Sequence, residues 1–258
     1  GCFIVAGAAL AWFIVAELRN PAPLLQIRLL AERNFGISMA VLTLFAIGML
    51  GGTYLLPLYM QRGLGYTALA AGSMFLPVGV IQGVLSAVSG YLTRYVRPLL
   101  LSAAGILIMA LSFWLASRFT LHTTHGHILF ILYLRGFGMG LTFAPLNLFS
   151  LKNLTQQDMA AAAGISNSIK QLAGSIGIAL LTVIFSARTS YHAAHETVSA
   201  AQTYVEGVTD ALRVVAVITL AALLPLLGVF RKKRPGKSGV KGAATPSPGE
   251  AVSGKTDK

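Results

Sequence analysis

The sequence predicts an all-α membrane protein, a polytopic helical bundle, and three observations lead there. Of 258 residues, 55% are hydrophobic and 11% charged, with a mean hydropathy of +0.72, whereas soluble domains carry about a quarter charged residues. The apolar residues gather into runs of about 20, the length that crosses a bilayer core. Basic residues collect between alternate runs, as in a chain threaded back and forth through a membrane. Backbone groups in lipid must be satisfied within their own segment, so such runs are helices; barrel strands would alternate over about ten residues.

Residues 1–16 are apolar but shorter than a span and lack a basic leader, so they read as a truncated transmembrane helix. Residues 17–35 form a connection. Within it, Leu25 and Leu29 lie four apart and Ile27 and Leu30 three apart, interleaved with Gln26, Arg28, Glu32 and Arg33. That spacing suits a short amphipathic helix at the membrane surface. Six full runs then occupy about 36 to 58, 71 to 92, 98 to 117, 127 to 149, 160 to 186 and 208 to 230, a six-helix domain over residues 36–230. Residues 231–258 turn to Gly, Ser, Pro and Lys and are expected to be a disordered basic tail.

Arg19, Arg28 and Arg33 share one connection, Arg94 and Arg97 another, Lys152 a third, and Arg231-Lys232-Lys233-Arg234 follow the last run. These alternate loops are expected on the cytoplasmic side, together with the carboxyl terminus. The opposite loops carry Arg62, Arg118 and Arg188 singly, and the longest, about Tyr191 to Val208, is mildly acidic through Glu196 and Glu206. Much of the net charge of +12 lies in the tail, so the charge reads as a membrane-topology signal and no nucleic-acid partner is expected. The single cysteine, Cys2, excludes an internal disulfide.

Two cations lie inside runs: Arg135 and Lys170. At about 1.5 Å per residue both sit more than about 10 Å deep. A buried cation costs roughly 2.5 to 3.5 kcal/mol on insertion scales, so it faces a cavity or a partner. Each either serves a substrate path, or holds helices together by donating to carbonyls or snorkels outward. No Asp or Glu lies near the centre of a full run; Asp158 and Asp210 are at run ends. The counter-charge must then come from elsewhere, or the cations face water. Asn167, Gln171 and Ser175 repeat every four residues beside Ser166, Lys170 and Gly174, a polar stripe that cannot face lipid.

Gly79 with Gly83, and Gly136 with Gly140, have the small-residue spacing of close helix packing, and Gly174 joins them. His122, His125 and His127 cluster in one loop and His192 and His195 in another; with no Cys or acid completing a ligand set, they read as solvated loop residues and no metal site is expected. There is no nucleophile elbow, phosphate loop or paired catalytic carboxylates, so neither an enzyme nor a cofactor is expected.

The segments "PLLQIRLLAERNFGIS", "YLLPLYMQRGLGYTALAAGSMFLP", "LRGFGMGLTFAPL" and "AAAGISNSIKQLAGSIGIALL" resemble the fourteen-spanning drug:proton antiporters of the major facilitator superfamily, the EmrB/QacA type. The likeness runs over several helices in order. It implies the carboxyl-terminal six-helix domain of such a transporter plus one truncated preceding span, with the amino-terminal half missing. It further implies proton-coupled efflux of hydrophobic or amphipathic drugs across the bacterial inner membrane, with proton-coupling acids in the other half and a periplasmic adaptor as a possible partner. Arg135 would match the family's Arg in the Arg-Gly helix, and Lys170 a position usually held by Arg. "GYLTRYVRP", with Gly90, Arg94 and Arg97, resembles the second copy of the cytoplasmic gating loop, although Thr93 stands where Asp is usual. The residues expected to line the cavity or act in coupling are Arg135, Asn147, Asn167, Lys170 and Gln171. The alternatives are an importer of a nutrient or siderophore, and a non-transporting truncated membrane module.

Overall fold

The computed structural model describes residue 12, residues 27–152, 154–156, 158–195 and 199–232. Apart from Trp12, the expected truncated helix over residues 1–16 lies outside the described residues, as do the first part of the connection and all but two residues of the tail. Among the described residues every regular element is helical. Six of these helical stretches are long and apolar enough to cross a membrane: Arg33–Gly63, Ala68–Leu92, Pro98–Ala116, His125–Leu151, Asp158–Ala194 and Ala200–Leu226.

The described end of the connection is a 3-10 turn, Ile27–Ala31, leading through Glu32 into α1, Arg33–Leu58. Pro57 removes a ladder hydrogen bond near the end of α1, and the chain continues as a π-helical turn, Tyr59–Gly63. Tyr59 anchors that end: it is fully buried, stacks on Phe119 at 4.9 Å and donates to Thr120 O at 2.8 Å. Gly65, at φ 72°, makes the left-handed turn that a side chain would resist. Thr67 then caps α2, Ala68–Ser73, by accepting from Ala70 N. The second span is broken after α2 and resumes as α3, Leu76–Leu92, with Pro77 in its first turn, where a missing N–H costs nothing.

α4 (Pro98–Ala116) and α5 (His125–Leu151) form the tightest pair, because glycines let their backbones meet. A Cβ on Gly138 would lie 2.8 Å from Met109 N and 2.9 Å from Gly105 O. α6 runs from Asp158 to His195, 38 residues; at about 1.5 Å each this exceeds a bilayer core of about 30 Å. α7 (Ala200–Ala221) is capped by Ser199, and Pro225 lies in α8, Leu223–Lys232.

The expected long loop from Tyr191 to Val208 is therefore largely helix at both ends. Polar residues extend α6 and α7 past their apolar stretches because Arg188, His192, Glu206, Asp210 and Arg213 pair with one another.

α1 packs against α5, α6 and α7, and α4 packs against α5 and α7, which closes a core of α1, α4, α5 and α7. The second and fifth spans flank it and bury a smaller share of their apolar stretches than the other four. The second leans on α5, the fifth on α1 and α7. Leu76, Val80, Val84 and Val88 stand exposed along α3, and Leu172, Ile176, Leu180 and Val183 along α6.

Candidate substrate groove and the buried arginine

Lys170 and Arg135 occupy different environments. Arg135 on α5 is 2% exposed and turned into the packing against α1. Its Nη2 donates to Met49 O at 3.0 Å and to Thr53 Oγ1, and Nη1 reaches Gly52 O at 3.5 Å. The guanidinium lies 5.5 Å from the Phe113 ring of α4, a cation–π arrangement. Nε–H has no acceptor among the described residues. No carboxylate pairs with it there; carbonyl dipoles and an aromatic face offset the charge. Glycine makes this possible, since a Cβ on Gly52 would collide with Phe113. This is the carbonyl-donating arrangement that the sequence left open.

Lys170 on α6 is half-buried, with Nζ 6.0 Å from the centroid of the Phe143 ring on α5. Phe143 in turn meets Phe45 of α1 edge-on at 5.5 Å. Lys170 of α6 therefore stands beside an aromatic pair that links α5 to α1. Asn147 is exposed one turn beyond Phe143, on the same helix face. Asn167, Gln171 and Ser175 are exposed along α6, with Ser175 Oγ donating back to Gln171 O at 2.9 Å. A cation beside an aromatic ring, with exposed amides on the same two helices, offers an apolar ring face and polar groups to one partner.

The glycines divide. Cβ atoms on Gly136 and Gly140 would lie 3.1 Å from Val78 O and 3.0 Å from Gln82 O, where α5 meets α3, and one on Gly174 would strike Leu50 of α1. Gly79, Gly83 and Gly90 would meet nothing within 4 Å, so they pack against no described residue. At the expected gating loop, Thr93 Oγ1 donates to Gly90 O at 2.6 Å. Arg94 lies 5.4 Å from the Tyr91 ring, and the exposed Arg97 precedes α4. Thr93 thus closes its own helix end rather than supplying a charge.

Sequence reasoning missed Thr53, Gly52 and Met49 as the seat of Arg135. It also missed Phe143 beside Lys170 and the pairing of His192 with two acids. The last had a signal: Arg188 with His192, and Glu206 with Asp210, are each spaced by four at facing helix ends.

Six helices long and apolar enough to cross a membrane, with one cation buried among them, define an integral membrane protein. The comparisons agree. The family model of the Major Facilitator Superfamily matches residues 1–178. The chain is similar to the "Uncharacterized MFS-type transporter YhcA" of Bacillus subtilis, at 30% identity over 73% of this chain and 36% of that protein. It is similar to the "Fatty acid resistance protein FarB" of Neisseria gonorrhoeae, at 30% identity over 73% of this chain and 37% of that one. With the "Multidrug export protein EmrB" of Escherichia coli K12 it shares 32% identity over 76% of this chain and 38% of that protein. The chain belongs to the major facilitator superfamily. It spans little more than a third of the length of these curated relatives, 36% to 38%.

Proposed function

We propose that this chain is the carboxyl-terminal six-helix domain of a proton-coupled exporter of hydrophobic or amphipathic compounds. It would work in the bacterial inner membrane with a further set of spans. The observation that carries the reading is Lys170 of α6 beside Phe143 of α5, with Asn147, Asn167 and Gln171 exposed on the same two helices; these side chains would border a substrate groove between α5 and α6. Relatives named for multidrug export and fatty acid resistance support the substrate class. Polar side chains exposed on a spanning helix need a hydrated path or another protein surface.

In this reading Asn147, Asn167 and Gln171 offer hydrogen bonds to the polar part of a substrate, Phe143 its apolar contact, and Lys170 a fixed charge. Arg135 acts at one remove, as a positioning residue that ties α5 to α1 beneath the groove. The exposed faces of α3 and α6, with Gly79 and Gly83, are where the further spans would seat, and Gly90, Arg94 and Arg97 would move at the cytoplasmic end as the halves rock. A periplasmic adaptor would meet the opposite end.

The test is accumulation of an amphipathic dye in cells expressing the complete reading frame, with and without a protonophore. Energised cells are expected to exclude dye and de-energised cells to fill. Equal accumulation in both, matching cells without the protein, would overturn the reading.

A further inference from the structure

The shared end of α6 and α7 holds a cluster that the groove does not use. The ring of His192, its side chain 16% exposed, stands between two carboxylates of α7. Nε2 lies 3.1 Å from Asp210 Oδ2 and Nδ1 3.6 Å from Glu206 Oε2. The carboxylates differ in their other partners. Asp210 faces Arg213 Nη1 at 2.9 Å and Arg188 Nε at 4.0 Å. Among the described residues Glu206 accepts from Gln202 Nε2 at 3.2 Å through Oε1, and its buried Oε2 has no hydrogen bond. Glu206 and Gln202 also border a cavity of about 170 Å³ lined by His122 and Thr120 of the preceding loop. The Tyr191 ring also meets that of His192, at 5.8 Å.

A neutral imidazole carries one N–H and one bare nitrogen lone pair. Whichever tautomer forms, the lone pair faces a carboxylate oxygen. Only the doubly protonated ring satisfies both contacts, donating to Asp210 and offering its other N–H to Glu206. Asp210 already has two arginines, so the second proton serves Glu206, whose Oε2 is otherwise buried and unmet.

We propose that His192, held between Glu206 and Asp210, is a proton-binding site whose occupancy clamps the ends of α6 and α7 together. It lies at the end of the bundle that the basic-residue pattern places away from the cytoplasm, so its proton would come from outside. With the proton bound, the ring bridges α6 to two turns of α7. When it leaves, the ring keeps one carboxylate, and Glu206 is released toward the cavity beside His122.

The experiment is nuclear magnetic resonance of ring nitrogens in the full chain, labelled at histidine and held in lipid nanodiscs. It is run across about pH 5 to 8, where imidazole changes charge, with the His192 signals assigned by their loss in His192→Gln. The expected result is both His192 nitrogens protonated at the acidic end, with Glu206→Gln, and separately Asp210→Asn, moving the loss of the second proton to lower pH. A His192 ring with a bare nitrogen throughout, or a transition that neither substitution moves, would overturn the proposal. The readout needs no transport, so it stands or falls apart from the export reading.

Discussion

Arg135 on α5 and Met49 on α1 are joined by a hydrogen bond of 3.0 Å from the guanidinium to the main-chain oxygen. With Gly52 O and Thr53 Oγ1 on the same fork, one side chain grips a full turn of α1. Lysine has no planar fork to reach several acceptors at once. Arg135→Lys is therefore expected to destabilise the detergent-solubilised chain, and Arg135→Ala to destabilise it further, by about 2 to 5 kcal/mol as for emptied core sites, both read as a lower thermal midpoint. An unshifted midpoint in both would contradict the grip.

Thr53→Val tests the acceptor side. It keeps the volume but deletes the hydroxyl that Arg135 meets, and a lost hydrogen bond to a charged group costs roughly 1.5 to 3 kcal/mol. A stability loss in the wild-type background that shrinks in an Arg135→Ala background is expected. Losses that simply add would mean that the two residues act independently.

Glycine spacing alone does not separate contacts from open faces, and substitution should. Gly138→Ala places a Cβ 2.8 Å from Met109 N, and overpacking of this kind costs about 1 to 3 kcal/mol. Gly79→Ala and Gly83→Ala meet nothing within 4 Å and are expected to leave the unfolding of this chain unchanged or slightly raised. Equal losses at all three positions would contradict the packing described.

These contrasts show what was legible in the sequence. The spans were, because runs of about 20 apolar residues admit one solution in lipid. The depth of Arg135 and Lys170 followed from counting along the helix. The partners of Arg135 did not, because two of them are main-chain oxygens, which every residue carries. Gly79 with Gly83 and Gly136 with Gly140 share one spacing, yet among the described residues only the second pair faces a neighbour; spacing reports a flat helix face, not what lies against it. The loop read from Tyr191 to Val208 proved largely helical because the cross-helix pairing of His192 with Glu206 and Asp210 sustains polar turns that hydropathy reads as connection.

Hydration of the groove can be read by thiol labelling. With Cys2, the single cysteine, replaced by Ser, Asn167→Cys and Gln171→Cys are expected to react with a water-soluble maleimide. Leu107→Cys and Val217→Cys line an apolar groove of about 290 Å³ between α4 and α7 and are expected to resist it. Resistance at 167 and 171 would place the polar stripe against protein or lipid instead.

In the proposed cycle the groove beside Lys170 carries the substrate, and the decisive variant is Lys170→Ala in the complete transporter, scored as energy-dependent dye efflux from cells with matched protein levels. A drop of about tenfold or more is expected, the equivalent of about 1.4 kcal/mol in transition-state energy, with the thermal midpoint preserved because Lys170 makes a ring contact at 6.0 Å and is only half-buried. Efflux at the wild-type rate would contradict it.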